Sequence, residues 1–197
     1  MFNVERGEIM ENKNVTVKDN VIVVSENPLS RFLFSDTRSA WIWLIIRLYL
    51  GYAWLKAGWS KVISPAWTGS EKGAAVRGFV TGALAKAEEG GDVAGWYASF
   101  LENIVLPNAT LFSYMVAFGE LLVGLGLILG LLTGIAAFFG GMMNVSFLFA
   151  GTLSTNPLLF VLATWLVLAW KVAGWYGLDR WALPYLGTPW KRRSGNE

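Results

Sequence analysis

The sequence predicts an all-α integral membrane protein, in which four transmembrane helices form a bundle and an extramembrane loop between helices 1 and 2 caps it. Apolar types make up 54% of the 197 residues, charged types 15%, and the mean hydropathy is +0.46. Such values lie outside the ordinary range of soluble proteins. Four apolar segments also reach the length of about 20 residues that a helix needs to cross a bilayer. Backbone groups in lipid must be satisfied internally, which favours packed helices.

The four segments are separated by polar or glycine-containing stretches, of which the first is long and the other two are short. They cover residues 41–63, 109–130, 133–151 and 157–176. Between Glu102 and Lys171 the only charged residue is Glu120, so the middle two segments are almost uninterrupted. The short "LLTG" link between them predicts an antiparallel helical hairpin.

The connection over residues 64–108 is too long for a simple turn. The stretches "AAVRGFVTGALAKAEEG" and "VAGWYASFLENIVLP" have helix-like apolar spacing and are separated at Gly90-Gly91. We therefore expect two amphipathic helices that cap the outer face of the bundle.

The chain ends differ from the apolar middle. Residues 1–28 form a separate N-terminal cytoplasmic extension, in which "VTVKDNVIVV" alternates like a small hairpin but equally suits a mobile tail. Residues 29–190 form the membrane domain, and residues 191–197 form a basic C-terminal tail. Cations flank the first and last segments on the side of the termini: Arg31, Arg38, Arg180, Lys191, Arg192 and Arg193. The positive-inside rule then predicts a multi-pass cell-membrane protein with cytoplasmic termini and an external loop 64–108.

The composition excludes several kinds of chemistry. The chain has no Cys and no His, which excludes structural zinc, thiolate-bound iron–sulfur clusters, disulfide redox chemistry and His-ligated haem. No Gly-rich dinucleotide fingerprint follows a predicted strand. We therefore expect no haem, metal or flavin in this chain. The net charge of +2 suggests no nucleic-acid partner.

The first apolar segment carries cations that need an explanation. Burying Arg47 or Lys56 near the bilayer centre costs about 2.5–3.5 kcal/mol each on insertion scales. Nine residues at about 100° per residue place these two cations on opposite faces of a helix. Each either faces a polar interior or extends to its nearer headgroup layer. Lys61 lies at the end of the segment, where a lysine is usually an interfacial anchor.

Glu120 lies near the middle of the second segment, too deep for its short side chain to reach either interface. A carboxylate there must be protonated, paired with a cation or exposed to a wet cavity. Arg47 or Lys56 is the expected partner, and Arg47 is favoured because Gly51 and Gly58 share its face. The pair is either functional or a salt bridge that only locks two helices. Asn144, in the third segment, is either an interhelical hydrogen-bonding residue or a ligand-binding one.

Several stretches of the chain resemble the DoxX/DoxD family of four-span membrane proteins. They are "LFSDTRSAWIWLIIRLYLGYAWLKAGWSKV", "WYASFLENIVLPN", "FGELLVGLGLILGLLTGIAAFFGGMMNVSFLFAG" and "LAWKVAGWYGLDRWALPYLGTPW". The specific features are an Arg and a Lys nine residues apart in the first segment, Gly-Glu in the second, and Gly-Leu-Asp after the fourth. The resemblance covers residues 33–190 and not the first 28 residues.

The resemblance implies a DoxD-like subunit of thiosulfate:quinone oxidoreductase, which passes electrons from a small sulfur oxyanion to membrane quinone. Quinone would be a diffusible substrate, and a small DoxA-like subunit or another redox protein would be the partner, besides the lipid bilayer and further copies in a homo-oligomer. Glu120, Arg47 and Lys56 are the catalytic candidates. The candidates for substrate or quinone binding are Asn144, Tyr52, Trp54 and Lys61.

Two other functions stay open. A non-enzymatic membrane anchor or assembly factor would use one face of the first helix to dock a partner protein, which suits cations on opposite faces. A small-solute carrier is less favoured, because four spans without an inverted repeat are few for a transporter.

Overall fold

The computed structural model describes residues 15–18, 21–24 and 26–186. The elements follow one another in this order: β1 (Val15–Lys18), β2 (Val21–Val24), α1 (Pro28–Ser35), a 3-10 turn (Thr37–Ser39), α2 (Ala40–Val62), α3 (Ala74–Glu88), α4 (Gly95–Phe100), a π turn (Leu101–Val105), α5 (Ala109–Leu129), α6 (Thr133–Phe149), α7 (Asn156–Leu168), α8 (Trp170–Ala173) and α9 (Asp179–Tyr185). The predicted C-terminal tail, residues 191–197, lies outside the described residues.

The alternating N-terminal stretch forms a two-stranded antiparallel hairpin. Val15 lies opposite Val24, and Lys18 lies opposite Val21. Of the two interpretations of this stretch, the structure supports the hairpin.

Helices α2, α5, α6 and α7 pack side by side. α2 lies along α5, α6 lies along α7, and the α5–α6 hairpin joins the two pairs. α2 and α5 approach most closely where Gly58 lies against the backbone of Leu121 and Gly124 lies against the backbone of Leu55. A Cβ atom at Gly58 would lie 2.7 Å from the Cα of Leu121, so this approach requires glycine.

In the described part of the chain, α5 is the one helix that is long and apolar enough to cross a membrane. α6 and α7 are shorter apolar helices of 17 and 13 residues. α2 has 23 residues but carries three cations.

The fourth predicted segment is not one helix. The chain turns at Ala169, which separates α7 from α8, so the prediction of a continuous helix over residues 157–176 was wrong. The turn brings Trp170 against Gly134, where a Cβ would lie 2.7 Å from the Cβ of Trp170. The start of α8 is thus held against α6 by a contact between residues far apart in the sequence, which apolar composition alone does not indicate.

The predicted capping helices are present as α3 and α4, with the break at Gly90-Gly91. Their apolar faces form a second core against α5 and the end of α6. Lys86 Nζ donates to the Gly151 carbonyl at 2.8 Å, and the Tyr97 hydroxyl donates to the Ser146 carbonyl at 2.8 Å. Burial raises the pKa of Tyr97, so its hydroxyl stays protonated and keeps this bond.

A glycine pair tests the close packing of α2 on α5. Gly58→Ala forces the helices apart, and we expect it to lower the free energy of unfolding by about 1–3 kcal/mol, as overpacking does. Gly82→Ala is the control, because a Cβ there meets no atom of the described residues within 4 Å. It should raise stability by about 0.5–1 kcal/mol, the usual gain over glycine inside a helix. Thermal unfolding in detergent measures both, and equal effects would contradict the packing.

Candidate functional site

The buried carboxylate of Glu120 pairs with Lys61. Glu120 Oε2 lies 2.7 Å from Lys61 Nζ, and the two side chains are 2% and 20% exposed. The prediction that Arg47 or Lys56 is the partner was wrong. The contacts of Gly58 with Leu121 set the register, and they bring the C-terminal end of α2, not its middle, to the height of Glu120.

Residues of the loop after α2 contact the ion pair and help to position it. Lys61 Nζ lies 5.1 Å from the centre of the Trp67 ring, a distance at which a cation is attracted to the ring face. Ser113 Oγ on α5 donates to the Trp67 carbonyl at 2.7 Å, and Thr68 Oγ1 donates to the Val62 carbonyl at 2.6 Å. The ammonium is therefore fixed between a carboxylate and an aromatic ring.

Asn144 lies on α6, near the part of α5 that carries Glu120. A Cβ at Gly119, the residue before Glu120, would lie 3.5 Å from the Sδ of Met143, the residue before Asn144. Asn144 is fully buried, and neither atom of its amide finds a hydrogen-bond partner among the described residues. The expectation of an interhelical hydrogen bond from this side chain is therefore not met.

A long apolar groove runs between α5 and α6, and the ring of Trp67 forms part of its wall. Its volume is about 820 Å³. The residues that line it include Trp67, Tyr97, Met115, Gly119, Leu129 and Ile135. From Met115 to Leu129 it extends about 21 Å at 1.5 Å per residue. The groove reaches the ring of Trp67, on which Lys61 lies, and it also borders the π turn that follows α4.

Arg47 belongs to a second polar cluster at the opposite end of α2. It is 1% exposed, and its Nη2 donates to the Tyr176 carbonyl at 3.1 Å. The negative charge of Asp179 stabilises this guanidinium. Asp179 accepts hydrogen bonds from the backbone N–H groups of Leu132 at 2.5 Å and Thr133 at 2.9 Å, which caps α6.

Lys56 and Tyr52 point away from both clusters. Lys56 is exposed, and Tyr52 is 62% exposed, on the face of α2 that turns away from α5. The predicted opposite orientation of Arg47 and Lys56 is confirmed. Trp54 is buried on the Arg47 face, so the candidate binding residues Tyr52 and Trp54 are not brought together.

The sequence indicated that Lys61 faces the bundle interior, but the prediction of the partner of Glu120 did not use this. Lys61 follows Arg47 by fourteen positions, and at about 100° per residue the two lie within about 40° of one face. Trp67 and Asp179 were not predicted as site residues. Asp179 could have been recognised as a carboxylate directly after a glycine-rich turn. The sequence has no feature that singles out Trp67.

Comparison with known proteins finds one family. The model of the family described as DoxX matches residues 42–153, more than half of the chain. The match includes the cations of α2, Glu120 and Asn144. No curated protein and no solved structure matches the chain. Among the described residues, no group of three or more His, Cys, Asp or Glu could hold a metal ion.

Removing the ammonium tests the identity of the partner of Glu120. Lys61→Met leaves a buried carboxylate without its cation, and we expect a loss of about 3–5 kcal/mol in unfolding free energy, the usual cost of breaking a buried pair. Lys56→Met is the control and should change stability little, because its side chain is exposed. Adding Glu120→Gln to Lys61→Met should restore most of the loss. A thermal shift series in detergent measures this cycle, and equal effects of the two lysine variants would refute the assignment.

Proposed function

The chain belongs to the DoxX family, a family of membrane proteins, and we propose that it is a quinone-reactive redox subunit of the DoxD type. In this proposal it passes electrons from a small sulfur oxyanion to membrane quinone. The observation that carries it is that Trp67, whose ring lies 5.1 Å from the ammonium of the Lys61–Glu120 pair, also lines a long apolar groove.

The groove fits the tail of a quinone better than a water-soluble ligand. Its lining is almost entirely apolar, and it opens on the side where Leu122, Leu125 and Phe139 are exposed. A long isoprenoid chain placed along α5 and α6 would cover these side chains, and burial of apolar area would favour it by about 25 cal/mol per Å². The head group would then meet Trp67 and, behind it, Lys61.

The ion pair supplies the acid–base chemistry of the reaction. Reduction of a quinone to a quinol takes up two electrons and two protons, so a group that holds a proton near the ring oxygen assists it. Lys61 donates to Glu120 and, being partly exposed, keeps a donor for a carbonyl oxygen. Glu120 would deliver the two protons one after the other. After each transfer it would be reprotonated from the outer side, and Lys61 would stabilise its carboxylate in between.

We also propose that α2, α5, α6 and α7 all cross the membrane, with the termini in the cytoplasm. Large apolar side chains are exposed on each of these helices, which suits contact with lipid: Ile45, Leu48, Leu122, Phe138, Met142, Val161 and Leu168. The cations near the chain ends favour the orientation. The ion pair then lies toward the external face, beneath α3 and α4.

The electron donor would reach the chain from the external side. The Lys61 ammonium is partly exposed there, and the exposed Lys56 adds positive charge about one and a half turns away, so the region attracts a sulfur oxyanion. A DoxA-like small subunit or another redox protein is the proposed partner for transfer to the quinone.

A second candidate function rests on the outer face of α2. Tyr49 is 51% exposed and Tyr52 62% exposed, and both share a face of α2 with the exposed Lys56. A polar-aromatic stripe on a membrane helix suits a protein partner better than lipid. A non-enzymatic anchor or assembly factor would use this stripe, and it would need neither the groove nor the ion pair.

Glu120→Gln distinguishes the two functions. If Glu120 transfers protons, this variant should lower quinone reduction by about 100-fold or more, the range of general acid–base catalysis. Glu88→Gln on the exposed side of α3 is the matched control and should keep full activity. Gel filtration in detergent checks that each variant is folded. Full activity of folded Glu120→Gln, or no quinone reduction and no bound quinone in the unaltered protein, would favour the anchor.

The length of the quinone tail tests the groove. Gly119→Leu places a side chain in the groove, and the Cβ itself makes only an ordinary 3.5 Å contact with Met143. We expect KM for a long-tailed quinone to rise severalfold, while KM for a short-tailed analogue changes little. Steady-state kinetics with both substrates measures this. An equal change for the two quinones would mean that the tail binds elsewhere.

A further inference from the structure

We propose that the apolar groove takes a fused two-ring quinone, of the naphthoquinone class, in preference to a single-ring benzoquinone that carries methoxy groups. This preference rests on the proposed function, because it concerns the head group of the quinone. Two features of the groove support it: the uneven distribution of its aromatic side chains, and the small number of hydrogen-bond donors in its wall.

The aromatic side chains that line the groove lie mostly at one end. All except Phe139 belong to the loop after α2, to α3 and α4, to the first turn of α5 or to the last turn of α6. The opposite end, at the α5–α6 hairpin, is lined by aliphatic side chains such as Leu129, Leu132 and Ile135. A flat head group therefore suits the first end, and an isoprenoid tail suits the second. We call the first the aromatic end, which is lined by Trp67, Phe79, Tyr97, Phe100, Phe112 and Phe147.

The rings of the aromatic end lie close together. Phe79 meets Phe147 edge to face with 6.0 Å between the ring centroids, and Phe100 lies 5.7 Å from Tyr97. Phe79 packs against the core cluster that contains Tyr97, which joins the two pairs. Phe79 and Phe147 are half-buried and Phe100 is 39% exposed, so parts of these rings remain open to the groove. Because aromatic rings attract one another in offset and edge-to-face contacts, a second fused ring on the ligand gains additional contacts here.

Hydrogen-bond donors are few in the wall of the groove. Among the lining residues that the structure describes, only Trp67, Tyr97 and Ser146 have a side chain with an N–H or O–H group. The Tyr97 hydroxyl donates to the Ser146 carbonyl at 2.8 Å, and the Ser146 hydroxyl donates to the Met142 carbonyl at 3.0 Å. Methoxy oxygens would therefore lose their water without gaining a donor, which disfavours their burial. A fused benzo ring has no polar atom, and both classes of quinone share the two ring carbonyls.

Binding of oxidised quinones to the intact protein in detergent tests the preference. The two probes are a naphthoquinone and a dimethoxybenzoquinone with the same prenyl tail, and no reductant is added, so their different reduction potentials do not enter. Isothermal titration calorimetry gives each Kd, corrected by titrations into protein-free micelles. We expect the naphthoquinone to bind about tenfold tighter, as one or two additional aromatic contacts would give. Equal or weaker binding of the naphthoquinone would overturn the preference and leave the proposed function in place, whereas binding of neither probe would overturn both.

Two variants then locate the head group. Phe79→Leu and Phe100→Leu each remove one ring from the aromatic end, and each should lower the preference for the naphthoquinone severalfold. Phe118→Leu is the matched control and should leave it unchanged, because Phe118 stacks on Tyr114 outside the lining of the groove. Phe100 is the more exposed of the two rings, so its replacement should cost little stability and decides alone if Phe79→Leu does not fold. An unchanged ratio of the two Kd values in folded Phe100→Leu, or an equal fall in all three variants, would overturn the proposal.

Discussion

The ion pair between Lys61 and Glu120 is the interaction on which the arrangement of the helices depends. A carboxylate that is 2% exposed loses most of its hydration, and the attraction of a cation repays this loss only when the geometry is close. The 2.7 Å contact forms where α2 and α5 lie nearly in van der Waals contact along their backbones. Gly58 and Gly124 permit that approach, one on each helix. The acid, the cation and the two glycines are therefore one structural unit.

A second polar contact fixes the other end of the same helix pair. Arg47 lies against Gly130 and Gly177, and Gly130 has the positive φ of 64° that favours glycine. Asp179 caps α6 and is connected back to the hairpin by its own N–H, which donates to the Gly130 carbonyl at 2.7 Å. Arg47 and Lys61 are about 21 Å apart along α2 at 1.5 Å per residue. Both ends of α2 are therefore fixed. If α2 slid along α5 by one turn, a buried charge would lose its partner. Apolar packing alone would not impose this constraint.

Much of this fold was predictable, and the exceptions share a cause. The α5–α6 hairpin, the two capping helices and the opposite faces of Arg47 and Lys56 follow from periodicity within one segment, which the sequence displays directly. The partner of Glu120 depends on the height of α2 relative to α5, and that height is set by contacts such as Gly58 on Leu121, which no single segment contains. The break at Ala169 is similar, because it depends on Trp170 packing on the distant Gly134. Local pattern thus predicted the helices and their faces, but not which residues of different helices meet.

The two polar ends differ in what they can do. Arg47 and Asp179 are 1% and 0% exposed, and the carboxylate of Asp179 already accepts two backbone hydrogen bonds, so this end has the character of a structural lock. Lys61 is partly exposed, and the Trp67 ring that its ammonium faces also lines the apolar groove. A long-tailed molecule that enters between α5 and α6 would therefore meet a single titratable pair at its polar end. Of the two cations of α2 that lie in polar clusters, Lys61 at the helix end is partly exposed, while Arg47 in the helix interior is buried.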